Sequence, residues 1–149
     1  MTDTMTKPAV PWHLWAVGVI SLLWNGYGGY DFVMSVTQGE AWWRASGMTD
    51  AMIAYFNGMP TWMYVPWVLG VWGAVAGSVL LLMRSRFAVH AFVLSLLGTI
   101  GNLVYGLMNP MPELPAEMAM MAWMPWVIVV IAAFLVWYAW TMRKKGVLS

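Results

Sequence analysis

Few side chains in this sequence could carry chemistry, and those that could are scattered through apolar runs. Asp31 is the one acid embedded in a hydrophobic stretch. A carboxylate inside a membrane segment is a candidate for proton transfer or ligand binding by default. It falls about five residues from the end of its stretch, so a second reading places it at the headgroup layer with access to water. Asn25 and Asn102 each sit on a helical stripe of small residues. A carboxamide in hydrocarbon must find a hydrogen bond, so the two would bond each other, bond a backbone carbonyl across a helix contact, or meet a substrate. His13 and His90 lie at the ends of different stretches and read as interfacial side chains rather than as a paired metal or haem site. Eleven of the 15 methionines fall in the expected outer half: Met34, Met48, Met52, Met59, Met63, Met108, Met111, Met118, Met120, Met121 and Met124. Thioethers are soft ligands suited to Cu(I), so Met111, Met118 and Met121 form a conceivable metal site. The plainer reading is flexible apolar packing.

The expected reaction chemistry is none. The sequence has no Ser-His-Asp arrangement with supporting context, no HExxH and no phosphate loop. The absence of cysteine removes thiolate chemistry, disulfides and Cys-based metal sites together. No cofactor is implied, and the expectation is a protein that is not an enzyme.

The elements that must position these residues follow from composition. Hydrophobic residues make up 62% of the 149 and charged residues 9%, against about 45–50% and about 25% in an ordinary soluble domain. A chain this short cannot hide so much apolar surface within itself, and the bilayer is the solvent that would take it. Four stretches meet the roughly 20-residue requirement for a spanning helix. They run over about 12–36, 62–83, 87–107 and 123–142, within a single domain covering 1–149. The fold class expected is therefore an all-α membrane protein of four transmembrane helices. The first stretch is too long for a secretory signal, carries polar Asn25 and Asp31, and has no small-residue cleavage site after it.

Charge sets the direction. Six of the seven basic residues, Lys7, Arg84, Arg86, Arg143, Lys144 and Lys145, fall on one side of such a four-span layout, and only Arg44 on the other. Basic residues resist translocation, so both termini are expected in the cytoplasm. Most of the 12 tryptophans cluster near the span boundaries, where an indole has its apolar face in lipid and its N–H among headgroups. Near-zero net charge excludes nucleic acid as a natural partner.

Helices in lipid associate through close packing and polar contacts, so small residues at helical spacing mark the contact faces. Gly18, Asn25 and Gly28 mark span one, Gly73 and Gly77 span two, and Ser95, Gly98 and Asn102 span three. Span four has no glycine and is expected to be more peripheral. In the first outer loop Thr49 is placed to cap a short helix over Asp50–Asn57, whose apolar side would lie on the membrane surface.

The run Leu22-Leu23-Trp24-Asn25 with Gly28, Asp31 and Met34 resembles the first span of a family of small bacterial inner-membrane proteins of uncharacterised role. Ala54-Tyr55-Phe56 with Pro60 and Trp62, and Gly70, Gly73 and Gly77 followed by Leu80-Leu81-Leu82, Arg84 and Arg86, resemble the same family, as do Phe87-Ala88, Phe92 and Ser95-Leu96. The resemblance covers roughly 12–107 and implies a bacterial inner membrane. Members are sometimes labelled sugar transporters. Two roles follow as expectations. The first is a non-catalytic structural or accessory subunit, or a homo-oligomeric bundle, whose partners are the lipid bilayer and either a second copy or another membrane protein. The alternative is a small-molecule, sugar-like carrier using Asp31, Asn25, Asn102 and aromatic faces.

Overall fold

The computed structural model describes residues 8–111 and 114–149, so Lys7 from the charge argument lies outside the described residues. Among the described residues all regular structure is helical. Six α-helices follow one another: α1 (Trp12–Gln38), α2 (Glu40–Ala45), α3 (Asp50–Asn57), α4 (Tyr64–Leu82), α5 (Ala88–Met108) and α6 (Met120–Lys144). Single 3-10 turns at Thr61–Met63 and Ala116–Met118 lead into α4 and α6.

Among the described residues three segments are long and apolar enough to cross a membrane: Thr61–Leu82, Ala88–Met108 and Ala116–Lys144. Side chains such as Leu23, Leu97 and Val130 point away from the bundle. A surface of this kind suits hydrocarbon, and it marks the chain as a helical membrane protein. Helix α1 is 27 residues long but less apolar than these, because Asn25, Asp31 and several Gly, Trp and Tyr dilute its hydropathy.

The long helices pack in series. α4 lies between α1 and α5, and α5 lies between α4 and α6. The α4–α5 hairpin closes through the Arg84-Ser85-Arg86 turn, where Arg84 takes the left-handed conformation at φ 59°. Pro60 precedes the turn into α4 and Pro115 the turn into α6, positions where a missing N–H costs nothing. α6 begins at Met120, three residues earlier than the apolar pattern suggested, so Pro125 sits inside the helix rather than at its start. Met and Ala favour helix and extend it backwards across the proline.

Basic residues Arg84, Arg86, Arg143, Lys144 and Lys145 gather at one end of the bundle, here the basic end. The core is concentrated there. Leu14 of α1, Leu81 of α4, Phe92 of α5 and Leu135 and Met142 of α6 form one buried cluster, joined by Val147 and Leu148 after α6. Backbone bonds pin this tail to the hairpin turn. Ser149 N–H donates to the Arg84 carbonyl at 3.0 Å, and Arg86 N–H donates to the Ser149 carbonyl at 3.2 Å. His13 Nδ1 and the Tyr138 hydroxyl hydrogen-bond across α1 and α6 at the same end.

Candidate functional site

Glycine and serine set how closely the helices meet. A β-carbon built on Gly98 would lie 2.4 Å from the Gly70 backbone nitrogen and 2.5 Å from the Pro66 carbonyl oxygen, so α4 and α5 touch backbone to backbone. One on Gly73 would lie 3.1 Å from the Ala91 carbonyl and 3.1 Å from Ser95 N, and one on Gly77 would press on the Phe92 ring at 2.6 Å. Ser95 Oγ donates to the Gly70 carbonyl at 2.7 Å across this seam. On the other side of α4, Gly18 faces Leu82 and Gly29 faces Trp72. Asn25 bridges α1 to α4 by donating to Ser78 Oγ at 2.9 Å and to the Ala74 carbonyl at 3.3 Å. Its partners are therefore on α4, and Asn102 is not among them.

Towards the opposite end, α1 and α6 part. Between them lies a cleft of about 430 Å³ that all four long helices line. Its floor is Gly70, Val71 and Ala74 of α4 with Thr99 of α5. Trp24, Tyr27 and Trp67 give it aromatic walls, and Met124, Pro125 and Ile128 form the α6 side. Asn25, Asp31 and Asn102 are the polar residues of greatest chemical reach in it. Thr99 donates its hydroxyl proton to the Leu96 carbonyl at 2.9 Å, which leaves its oxygen only as an acceptor.

Gly28 and Asn102, expected as helix-contact residues, both line this cleft, as does Asn25. A β-carbon on Gly28 would meet nothing within 4 Å. The physical reason is that α1 departs from α6 at this level, so the missing side chain leaves open volume where a close approach was expected. Gly18, Asn25, Gly73, Gly77, Ser95 and Gly98 all sit at helix contacts.

Above the cleft, α2 and α3 form a small cap. Thr49 Oγ1 accepts from Met52 N–H at 3.3 Å at the start of α3. Met52 and Ile53 turn inward and are buried by protein, while Tyr55 donates to the Asn109 carbonyl at 2.6 Å. Helix α2 was not foreseen. Gly39, with a positive φ of 55°, lets the chain turn from α1 directly into it. The consequence falls on Asp31: Trp42 Nε1 donates to its Oδ1 at 2.8 Å, and Trp43 Nε1 donates to Ser35 Oγ at 3.2 Å. Arg44 does not fold back onto Asp31. It pairs with Asp50 at 2.6 Å and more loosely with Glu40 at 4.0 Å. The hydrogen bond from Arg44 to Asp50 and the charge of that carboxylate hold the guanidinium above its ordinary pKa. Burial pushes the Tyr55 phenol up.

Among the described residues no group of three or more His, Asp or Glu could hold a metal ion. Of the three methionines proposed as soft ligands, Met111 follows α5, Met118 closes the second 3-10 turn and Met121 lies in the first turn of α6. Met124 is the methionine that reaches the cleft. His13 is engaged with Tyr138, and His90 stacks loosely on Phe87 at 5.8 Å. Comparison with protein-family models, curated proteins and solved structures gives no match, so the site rests on its own geometry.

Proposed function

We propose that this chain is a non-catalytic membrane protein of four spans that binds a small molecule in the cleft between α1 and α6, as a carrier or as the binding subunit of a larger assembly. The single observation that carries the reading is the cleft itself, about 430 Å³ in volume and lined by all four long helices, in a bundle whose α1–α4 and α4–α5 contacts close on glycine. Small-molecule sites typically occupy about 300–1,000 Å³ with apolar walls and a few placed polar groups. Asp31 and Asn102 supply such groups, and Trp24, Tyr27 and Trp67 the walls.

In this reading α1 is the fourth span, since its 27 residues exceed the length a bilayer requires. The basic end and both termini face the cytoplasm of a bacterial inner membrane, and α3 rests at the outer interface. The cleft then opens on the outer half. Four helices are few to enclose a transport path, so a second copy or another membrane protein would complete it.

Gly28→Phe provides the test, because it fills the cleft without meeting any neighbour at the β-carbon. Thermal unfolding of the purified protein is recorded against a broad panel of sugars, amphiphiles and ions. A ligand of the native state stabilises by about 2.7 kcal/mol at a hundredfold excess over its Kd. The expected result is compounds that raise the unfolding temperature of the wild type and not of Gly28→Phe. A panel that acts equally on both proteins, or on neither, overturns the reading.

A further inference from the structure

Resting on that binding reading, we infer that the cleft takes an organic cation with an apolar body, a quaternary ammonium or a protonated amine, with Asp31 as its counter-charge. Among the described residues no Lys, Arg or His lines the cleft, and Asp31 is its only carboxylate. Arg44, the basic residue of α2, is paired with Asp50 and, more loosely, with Glu40. Asp31 therefore has an indole N–H on one oxygen and no salt bridge among the described residues. One N–H dipole is the whole of its compensation in a half-buried position between mostly apolar walls. An anionic ligand would add to that charge, and a cation balances it.

The walls select the same class. Trp24, Tyr27 and Trp67 line the cleft with Asp31, and aromatic faces attract cations, tryptophan most strongly. A sugar needs many hydrogen-bond partners around its ring. In the cleft the amide N–H groups of Asn25 are given to α4 and the Thr99 proton to its own helix, which leaves the Asn102 amide and the Tyr27 hydroxyl as the free groups that both donate and accept. The thioether of Met124 and the apolar side of Ile128 fit an alkyl or aryl body better than a second polar group.

The experiment uses the full chain in nanodiscs of zwitterionic lipid. Four probes share one octyl chain and differ in the head: trimethylammonium, its uncharged tert-butyl isostere, glucoside and sulfate. Binding is read by calorimetry, and Gly28→Phe measures partition into lipid. The expected result is that the ammonium binds at least tenfold more tightly than the isostere. Asp31→Asn, whose carboxamide oxygen still accepts from Trp42, should lower ammonium affinity about tenfold and leave the isostere unchanged. Equal binding of ammonium and isostere, or preference for glucoside or sulfate, overturns the cation inference while the cleft reading stands. Binding of every head unchanged by Gly28→Phe overturns the cleft reading itself. Should Asp31→Asn fail to fold, the head-group series on the wild type decides alone.

Discussion

Gly98 is the position where one methyl group does most damage. Its β-carbon would lie 2.4 Å from the Gly70 nitrogen, 1.0 Å short of the 3.4 Å at which ordinary contact begins (3.4 − 2.4). The obstructing atoms are backbone atoms of α4, so no rotamer change relieves them and the helices must separate. Overpacking of this kind costs about 1–3 kcal/mol, and a clash with rigid backbone belongs at the upper end. Separation also stretches the 2.7 Å bond from Ser95 Oγ to the Gly70 carbonyl, worth about 0.6 kcal/mol in a membrane protein. Alanine returns up to about 1 kcal/mol through its better helix propensity. Gly98→Ala should therefore destabilise the bundle by about 2–3 kcal/mol, most of the overpacking cost surviving the propensity gain. Gly28→Ala is the matched control, since it gains the propensity and meets nothing within 4 Å. The assay is reversible unfolding in mixed detergent micelles followed by circular dichroism. If Gly98→Ala falls within about 0.5 kcal/mol of Gly28→Ala, the variation expected of changes that touch nothing, then α4 and α5 do not approach as described.

Asn25→Ala removes both bonds from α1 to α4 yet leaves Ser78 Oγ bonded to the Ala74 carbonyl at 2.9 Å. No hydroxyl is orphaned, and the expected loss is about 1 kcal/mol in the same unfolding assay; a loss indistinguishable from zero would show that the amide does not tie the helices. The absence of cysteine makes topology directly readable. Ser46→Cys should react with an impermeant maleimide from the periplasmic side, whereas Ser85→Cys should react only after the inner membrane is opened. The reverse pattern would invert the proposed orientation.

What could be read from the residues was whatever depends on one helix and its immediate surface. Thr49 with Asp50–Asn57 needed only the chemistry of a helix start, and α3 has those bounds. Gly73, Gly77 and Gly98 were legible because a missing side chain permits close approach, and α4 and α5 use it. The same signal misled at Gly28. A small residue either brings a neighbour near or leaves a hollow, and which occurs depends on how two distant helices diverge. The cleft belongs to that second kind of information. So does the indole on Asp31: it required Gly39 to turn the chain so that Trp42 came back over α1. The buried tail was likewise invisible, because Val147 and Leu148 gain their place from a hairpin turn some sixty residues earlier in the chain (147 − 84 = 63).

The basic end, where His13 bonds Tyr138 at the edge of the buried cluster, is the fixed point from which α1 and α6 diverge, and so the natural pivot for any tilt between them. From Tyr138 to Met124 is fourteen residues of continuous helix (138 − 124), an arm of about 21 Å at 1.5 Å per residue. A tilt of about 3° about that pivot moves the rim by about 1 Å, the radius of a small atom. Bilayer thickness biases helix tilt, at fractions of a kcal/mol per ångström of mismatch. On the proposed four-span placement, the mouth of the cleft would be coupled to the membrane around it, and a thinner or thicker bilayer would retune its width without any change in the residues that line it.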